Sequence, residues 1–175
     1  MKTVLVAYAS QMGSTAEIAS VVGDQLTRRG FHVDVQSTAV ARDARLYDAV
    51  IVGSPVYFGR WDRTALRFLR AQAPDLAERP TWLFQSGPCG PGASTEPTRT
   101  PRAVERFCAA VGIAAPVTFG GNLERSRATT WLARRVATGD LAGDSRDWQA
   151  IRAWADSVAR QLDSIQTLNA VEDFV

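Results

Sequence analysis

The sequence predicts an α/β fold: a doubly wound sheet of five parallel strands with helices on both faces. Three observations carry this expectation: five short, densely apolar runs, helix-period segments between them, and Gly, Pro or hydroxyl residues at the joins. Parallel neighbours need a crossover of a dozen or more residues, and the helical segments supply it.

Residues 3–9 are apolar enough for a strand buried on both faces. Ser14 and Glu17 have the spacing of a capping box, so a helix is expected from Ser14, with Ala19, Val22 and Leu26 on one face and Gly30 as its stop. Residues 31–36 alternate apolar and polar as a second, more marginal strand, and 47–53 form a third. A helix over 61–73 buries Ala65, Phe68 and Leu69 and is closed by Pro74, after which 81–85 is the fourth strand. The Gly- and Pro-rich stretch 86–100 is a loop, and Thr100-Pro101 reads as N-cap and first helical residue. Val104, Phe107, Cys108 and Val111 are the stripe of that helix, 114–120 the fifth strand, and 123–138 a further helix. Residues 147–162 close the fold with a stripe of Ile151, Trp154, Ala155, Val158 and Leu162. Residues 1–163 are thus read as one domain and 164–175 as a tail without a clear period.

Composition removes several function classes. No run approaches the ~18 apolar residues of a membrane span, and 1–6 lacks the long apolar core of a signal peptide, so a cytoplasmic chain is expected. One His and two Cys argue against zinc chemistry and a disulfide framework, and no metal site is expected. Cys108 lies on an apolar stripe and reads as core. His32 lies away from the strand-end loops.

In a doubly wound sheet ligands bind at the carboxyl ends of the strands, which directs attention to three loops. The first is Ser10, Gln11, Met12, Gly13, Ser14 and Thr15: hydroxyls, a turn glycine and the N–H groups of a helix start. Without a Gly-Lys-Ser/Thr ending or a G-x-G-x-x-G pattern, it suits one terminal phosphate held by neutral donors, or simply a capped helix after a tight turn. The second, Ser54, Pro55, Val56, Tyr57, Phe58 and Gly59, continues to Trp61 and brings aromatics to a strand end, where they suit a planar ring or fold back onto the next helix. The third, Ser86, Gly87, Pro88, Cys89 and Gly90, offers backbone donors to the ring's polar edge. Cys89 has no partner Cys or nearby His and reads as a bystander rather than a redox thiol. No side chain stands out as a catalytic acid or base.

A phosphate loop, an aromatic wall and a polar backbone strip describe FMN. The chain resembles the flavodoxin superfamily, whose Ser/Thr-x-x-Gly-x-Thr phosphate pattern is met by Ser10, Gly13 and Thr15. The resemblance implies a strand order 2-1-3-4-5, FMN phosphate at 10–15 and ring contacts at 54–61 and 86–90. Ser10 through Ser20, Tyr47-Asp48-x-Val50, Arg99-Thr100-Pro101, Gly120-Gly121-x-Leu123 and Asp147-Trp148 are similar to the menaquinone-dependent protoporphyrinogen oxidase branch, although 124–145 is shorter than the insertion of that branch. That resemblance implies an FMN-dependent oxidoreductase passing electrons from a porphyrinogen to a quinone. The alternatives are a soluble electron carrier for protein partners and a flavodoxin-like module without flavin.

Charge bears on this choice. The chain has a formal net charge of +2, unlike the acidic surface typical of flavodoxin carriers. Residues 99–135 carry seven Arg against Glu105 and Glu124, a basic stretch suited to porphyrin carboxylates, an anionic membrane surface or pairing with the acidic C-terminal part. No nucleic-acid module accompanies it.

Overall fold

The computed structural model describes residues 1–87, 98–123 and 143–172. Its main sheet has the order β2-β1-β3-β5-β6, formed by β1 (Thr3–Tyr8), β2 (His32–Ser37), β3 (Ala49–Tyr57), β5 (Thr81–Ser86) and β6 (Val117–Phe119), all parallel. The two-residue β4 (Arg60–Trp61) folds back antiparallel on the end of β3. Set β4 aside and the order is the expected one.

Alternation along the central strands divides the core in two. Val4, Val6, Ile51 and Phe84 face α1 (Ser14–Arg28) and α5 (Trp148–Glu172). Leu5, Val50, Val52 and Leu83 face α2 (Arg63–Ala71) and α4 (Arg102–Val111), with the short α3 (Ala73–Ala77) alongside. Burial on both faces is why β1 and β3 read as unbroken apolar runs. Close approach sets the sheet's glycines: a Cβ on Gly53 would overlap the Phe84 ring, which packs against Phe119 and Trp154 at centroid separations of 6.1 and 6.0 Å.

Several boundaries differ from the sequence reading, each for a local reason. Gly13, in the left-handed region, is the N-cap of α1 and no side chain caps it, so the Ser14/Glu17 capping box does not form. The Glu17 carboxylate instead pairs with Arg146. The helix expected over 61–73 begins at Arg63, because Asp62 accepts from the Thr64 N–H at 2.8 Å and Trp61 belongs to β4. Pro74 opens α3 rather than only closing α2. Pro101, not Thr100, caps α4, and the fifth strand shortens to Val117–Phe119. β3 runs on to Tyr57, so Ser54 to Tyr57 are strand rather than loop, held by pairing with Ser86 on one side and β4 on the other. Leu123 sits in a small antiparallel pair, β7 (Asn122–Leu123) with β8 (Gly143–Asp144). The remainder of the expected 123–138 helix lies outside the described residues. The closing helix continues through Glu172, into the stretch read as a tail. Among the described residues no helix is long and apolar enough to cross a membrane.

Helices α1 and α5 are also joined at the surface: Asp156 accepts from Gln25 at 2.8 Å and from Arg29 at 2.7 Å. The Arg29 hydrogen bond, helped by Gln25, holds the Asp156 carboxyl down at about 2, from an ordinary 3.8. A carboxyl whose value is depressed on folding stabilises above its unfolded value, and that stabilisation is lost as pH falls through the folded one. Acid titration of stability, followed by circular dichroism, is therefore expected to show a component between pH 3.8 and about 2 that disappears in Asp156→Asn.

Candidate functional site

The first loop, the hairpin and the described start of the third loop, Ser86 and Gly87, lie at the carboxyl edge of β1, β3 and β5, and three side-chain hydrogen bonds tie this edge together. Gln11 Nε2 donates to Asp62 Oδ2 at 2.8 Å, joining the first loop to the hairpin. The Thr15 and Ser86 hydroxyls lie 2.8 Å apart in the interior, joining the first loop to the third. Trp61 Nε1 donates to Gln85 Oε1 at 2.9 Å, joining the hairpin to the third.

In the first loop, the Gly13 N–H donates to Ser10 Oγ at 3.0 Å, and Gly13 turns the chain at φ 89°. That conformation costs an L-residue roughly 1–2 kcal/mol. With no side-chain cap on α1, the backbone N–H groups of Met12 and Thr15 find no acceptor among the described residues, although Thr15 is only 1% exposed. A buried donor and a half-buried one, both without an acceptor among the described residues at a positive helix end, fit one anionic group. The loop has no basic side chain, and the Glu17 charge in the first turn is offset by Arg146. That guanidinium also meets Asp144 and lies 4.4 Å from the Trp148 ring. The donor set fits one phosphate.

The second loop is a tight hairpin. Phe58 at φ 50° and Gly59 at φ 70° form its turn, and Phe58 stands 85% exposed. A bulky residue in the left-handed region is uncommon and stores strain of order 1–3 kcal/mol, which accumulates at functional sites. Tyr57 is half-buried, and Val56 pairs with Trp61. Trp61 is buried, so of the three aromatics it is the structural one. Ser54 Oγ accepts from the Asp62 N–H at 3.0 Å and so anchors the start of α2. Burial pushes the Asp62 carboxyl up, and hydrogen bonds from Gln11, the Thr64 hydroxyl and the Thr64 N–H more than offset this, leaving it below the usual range.

Of the third loop, Ser86 is buried and the Gly87 N–H donates to the Phe119 carbonyl at 2.8 Å. Pro88, Cys89 and Gly90 lie outside the described residues, as do the basic positions 124–135. Cys108 is buried in the core, where burial pushes its thiol up. His32 is on β2, paired with Thr3 at the opposite end of the sheet from the loops.

Sequence reasoning missed Gln85 and Asp62. Gln85 is completely buried: its Oε1 accepts from Trp61, and its Nε2 donates to Thr118 Oγ1 at 2.9 Å and the Thr98 carbonyl at 3.2 Å. A polar residue closing an otherwise apolar strand was the available signal, because a buried amide requires partners.

The pattern of the flavodoxin-domain family matches residues 5–136. No curated protein sequence matches the chain. Solved structures with the same fold include rubredoxin oxygen:oxidoreductase from Desulfovibrio gigas (TM-score 0.62, 16% identity, 94% of this chain and 37% of that one). Oxidised Flavodoxin 2 from Bacillus cereus (0.61, 20%, 91% and 99%) and a flavodoxin from Streptococcus pneumonia TIGR4 (0.60, 20%, 91% and 99%) are similar over nearly their whole length. The chain thus spans little more than a third of the oxidoreductase and nearly all of the two flavodoxins.

If Gln85 braces the loops, Gln85→Leu leaves the Trp61 N–H and the Thr118 hydroxyl without their buried partner. It is expected to cost about 1–3 kcal/mol in denaturant unfolding. Adding Trp61→Phe should recover part of that loss, so the double-mutant cycle shows coupling rather than additivity.

Proposed function

Because the chain belongs to the flavodoxin-domain family, we propose that it is an FMN-binding redox protein. The observation that carries this reading is the start of α1, which no side chain caps and where the N–H groups of buried Thr15 and of Met12 just before the helix find no acceptor among the described residues, beside the Ser10–Gly13 turn. Residues 10–15 would hold the phosphate, with neutral donors and the helix end balancing its charge. Tyr57 and Phe58, with the backbone at Gly59, would flank the ring, and Ser86 and Gly87 would begin the strip along its polar edge. When bound, FMN supplies the capacity to exchange one or two electrons, while the protein binds, orients and tunes it. The hydrogen bonds joining the three loops would keep their donors in place as the ligand enters and leaves, and Trp61, fixed by Gln85, would support the hairpin from beneath.

At the substrate level, the motifs shared with the porphyrinogen oxidase branch support oxidation of a porphyrinogen with a quinone as acceptor. A second reading, an electron carrier for protein partners, is favoured by the exposed hairpin tip at Phe58 and the arginines that follow it.

Titration of the purified protein with FMN, followed by quenching of flavin fluorescence, tests the cofactor. Saturable one-to-one binding is expected, weakened at least about tenfold in Gly13→Val, since a β-branched residue at this φ displaces the turn. Unchanged affinity in a folded Gly13→Val variant excludes 10–15 as the phosphate site. Porphyrinogen turnover with a menaquinone analogue decides between the two partner readings: turnover by the holoprotein is expected for the enzyme and none for the carrier.

A further inference from the structure

Helix α2 presents a row of cations with no ion-pair partner among the described residues. Arg63, Arg67 and Arg70 are exposed, and at 100° per residue they fall within about 60° of one another on one face, spread over roughly 10 Å of helix. Arg60, also exposed, extends the row onto the hairpin beside Phe58. Elsewhere, Arg29 pairs with Asp156, Arg45 with Asp43, Arg79 with Asp75 and Arg146 with Glu17 and Asp144, whereas arginines such as Arg102, Arg106 and Arg160 have no ion pair among the described residues. None of Arg60, Arg63, Arg67 and Arg70 has an ion pair among the described residues. No carboxylate occurs from Arg63 to Gln72, and Asp62, which precedes them, is occupied by Gln11 and Thr64.

The row lines a surface groove of about 660 Å³, bordered by Arg63, Leu66, Arg67, Arg70 and Ala71. Leu66 packs against the core beneath, so the groove joins apolar area to positive charge. Its end at Arg63 adjoins Asp62, which is bonded to both the first loop and the hairpin.

We infer that the α2 groove is the docking face for an acidic protein partner, a protruding helix or loop carrying carboxylates at helical spacing. Two features select this occupant. The cations repeat once per helical turn with no paired carboxylate among the described residues, which complements a row of carboxylates and favours arginine's two-pronged pairing. They also flank the partly buried Leu66, so the face offers apolar area beside its charge that a carboxylate-bearing protein segment can cover. The flavin reading supplies the reason for such a partner to dock here, beside the hairpin, but the binding itself does not depend on it.

The test compares the parent, the triple variant R63E/R67E/R70E and a control, R160E, whose exposed arginine is on α5 in the opposite helix layer. The probes are poly-L-glutamate and, separately, vesicles of phosphatidylserine in phosphatidylcholine. The parent is expected to bind poly-L-glutamate at least about tenfold more tightly at low salt than at about 0.3 M, because exposed charges are screened within ~8–10 Å at physiological ionic strength. The triple variant should lose at least about tenfold at low salt, with R160E within about twofold of the parent. No parent binding, or equal loss in R160E, overturns the proposal. So does vesicle binding that disappears in the triple variant while poly-L-glutamate binding persists, which would assign the face to a membrane. FMN titration of the same three proteins separates the two readings. Arginine-dependent capture of poly-L-glutamate by a chain that takes no FMN refutes the flavin reading and leaves the docking face standing.

Discussion

The buried carboxamide of Gln85 is the constraint around which the functional end of the molecule is organised. It ends the apolar stretch of β5 at the point where strands give way to loops, and there it meets an indole N–H, a hydroxyl and a backbone carbonyl from three different segments. A buried amide left unpaired costs a full desolvation penalty, so the hairpin, the residues after the third loop and β6 must all reach their places for Gln85 to be satisfied. Such a network rewards one arrangement of the loops and penalises others. The Thr15–Ser86 and Gln11–Asp62 bonds extend the same demand to the loop before α1.

Behind this polar edge, the sheet is held by shape. Gly53 lets the Phe84 ring lie against β3, and Gly120 lets the backbone of Ser145 approach so closely that any Cβ would overlap the Ser145 carbonyl oxygen. That approach brings the chain past β8 back to the sheet, and it places Arg146 between Asp144 and the Glu17 carboxylate at the start of α1. A charge cluster and a steric fit thus fasten the same return of the chain. The Trp148 ring beside the guanidinium adds an apolar cover to the ion cluster.

Charge is divided between two uses. Where arginines face acids across helices, as at Arg29 and Arg146, they join elements distant in sequence. Where they line α2 they pair with no carboxylate among the described residues, although an exposed row of like charges repels itself. The candidate phosphate loop needs neither kind, since its donors are backbone N–H groups whose orientation the Gly13 turn decides.

The strands, their helical crossovers and the two-sided core were legible in the sequence because they follow from local apolar density and helical period, whereas the strand order was implied only by the family resemblance. The apolar runs 3–9, 47–53 and 81–85 became β1, β3 and β5, and the gap lengths between them required crossovers. The Ser10–Gly13–Thr15 spacing identified the first loop, because a turn glycine between hydroxyls before a helix is a local signal. Tertiary structure alone decided how that loop is held. Ser14 and Glu17 have the spacing of a capping box, yet Gly13 is the N-cap, which puts that spacing out of register, and Arg146, 129 residues away in sequence, takes the Glu17 carboxylate. Trp61 reads as a helix residue until β4 pairs with β3 and turns its indole toward Gln85. Local pattern specifies which conformations a segment prefers; which partner satisfies a buried polar group depends on what the fold brings within about 3 Å of it.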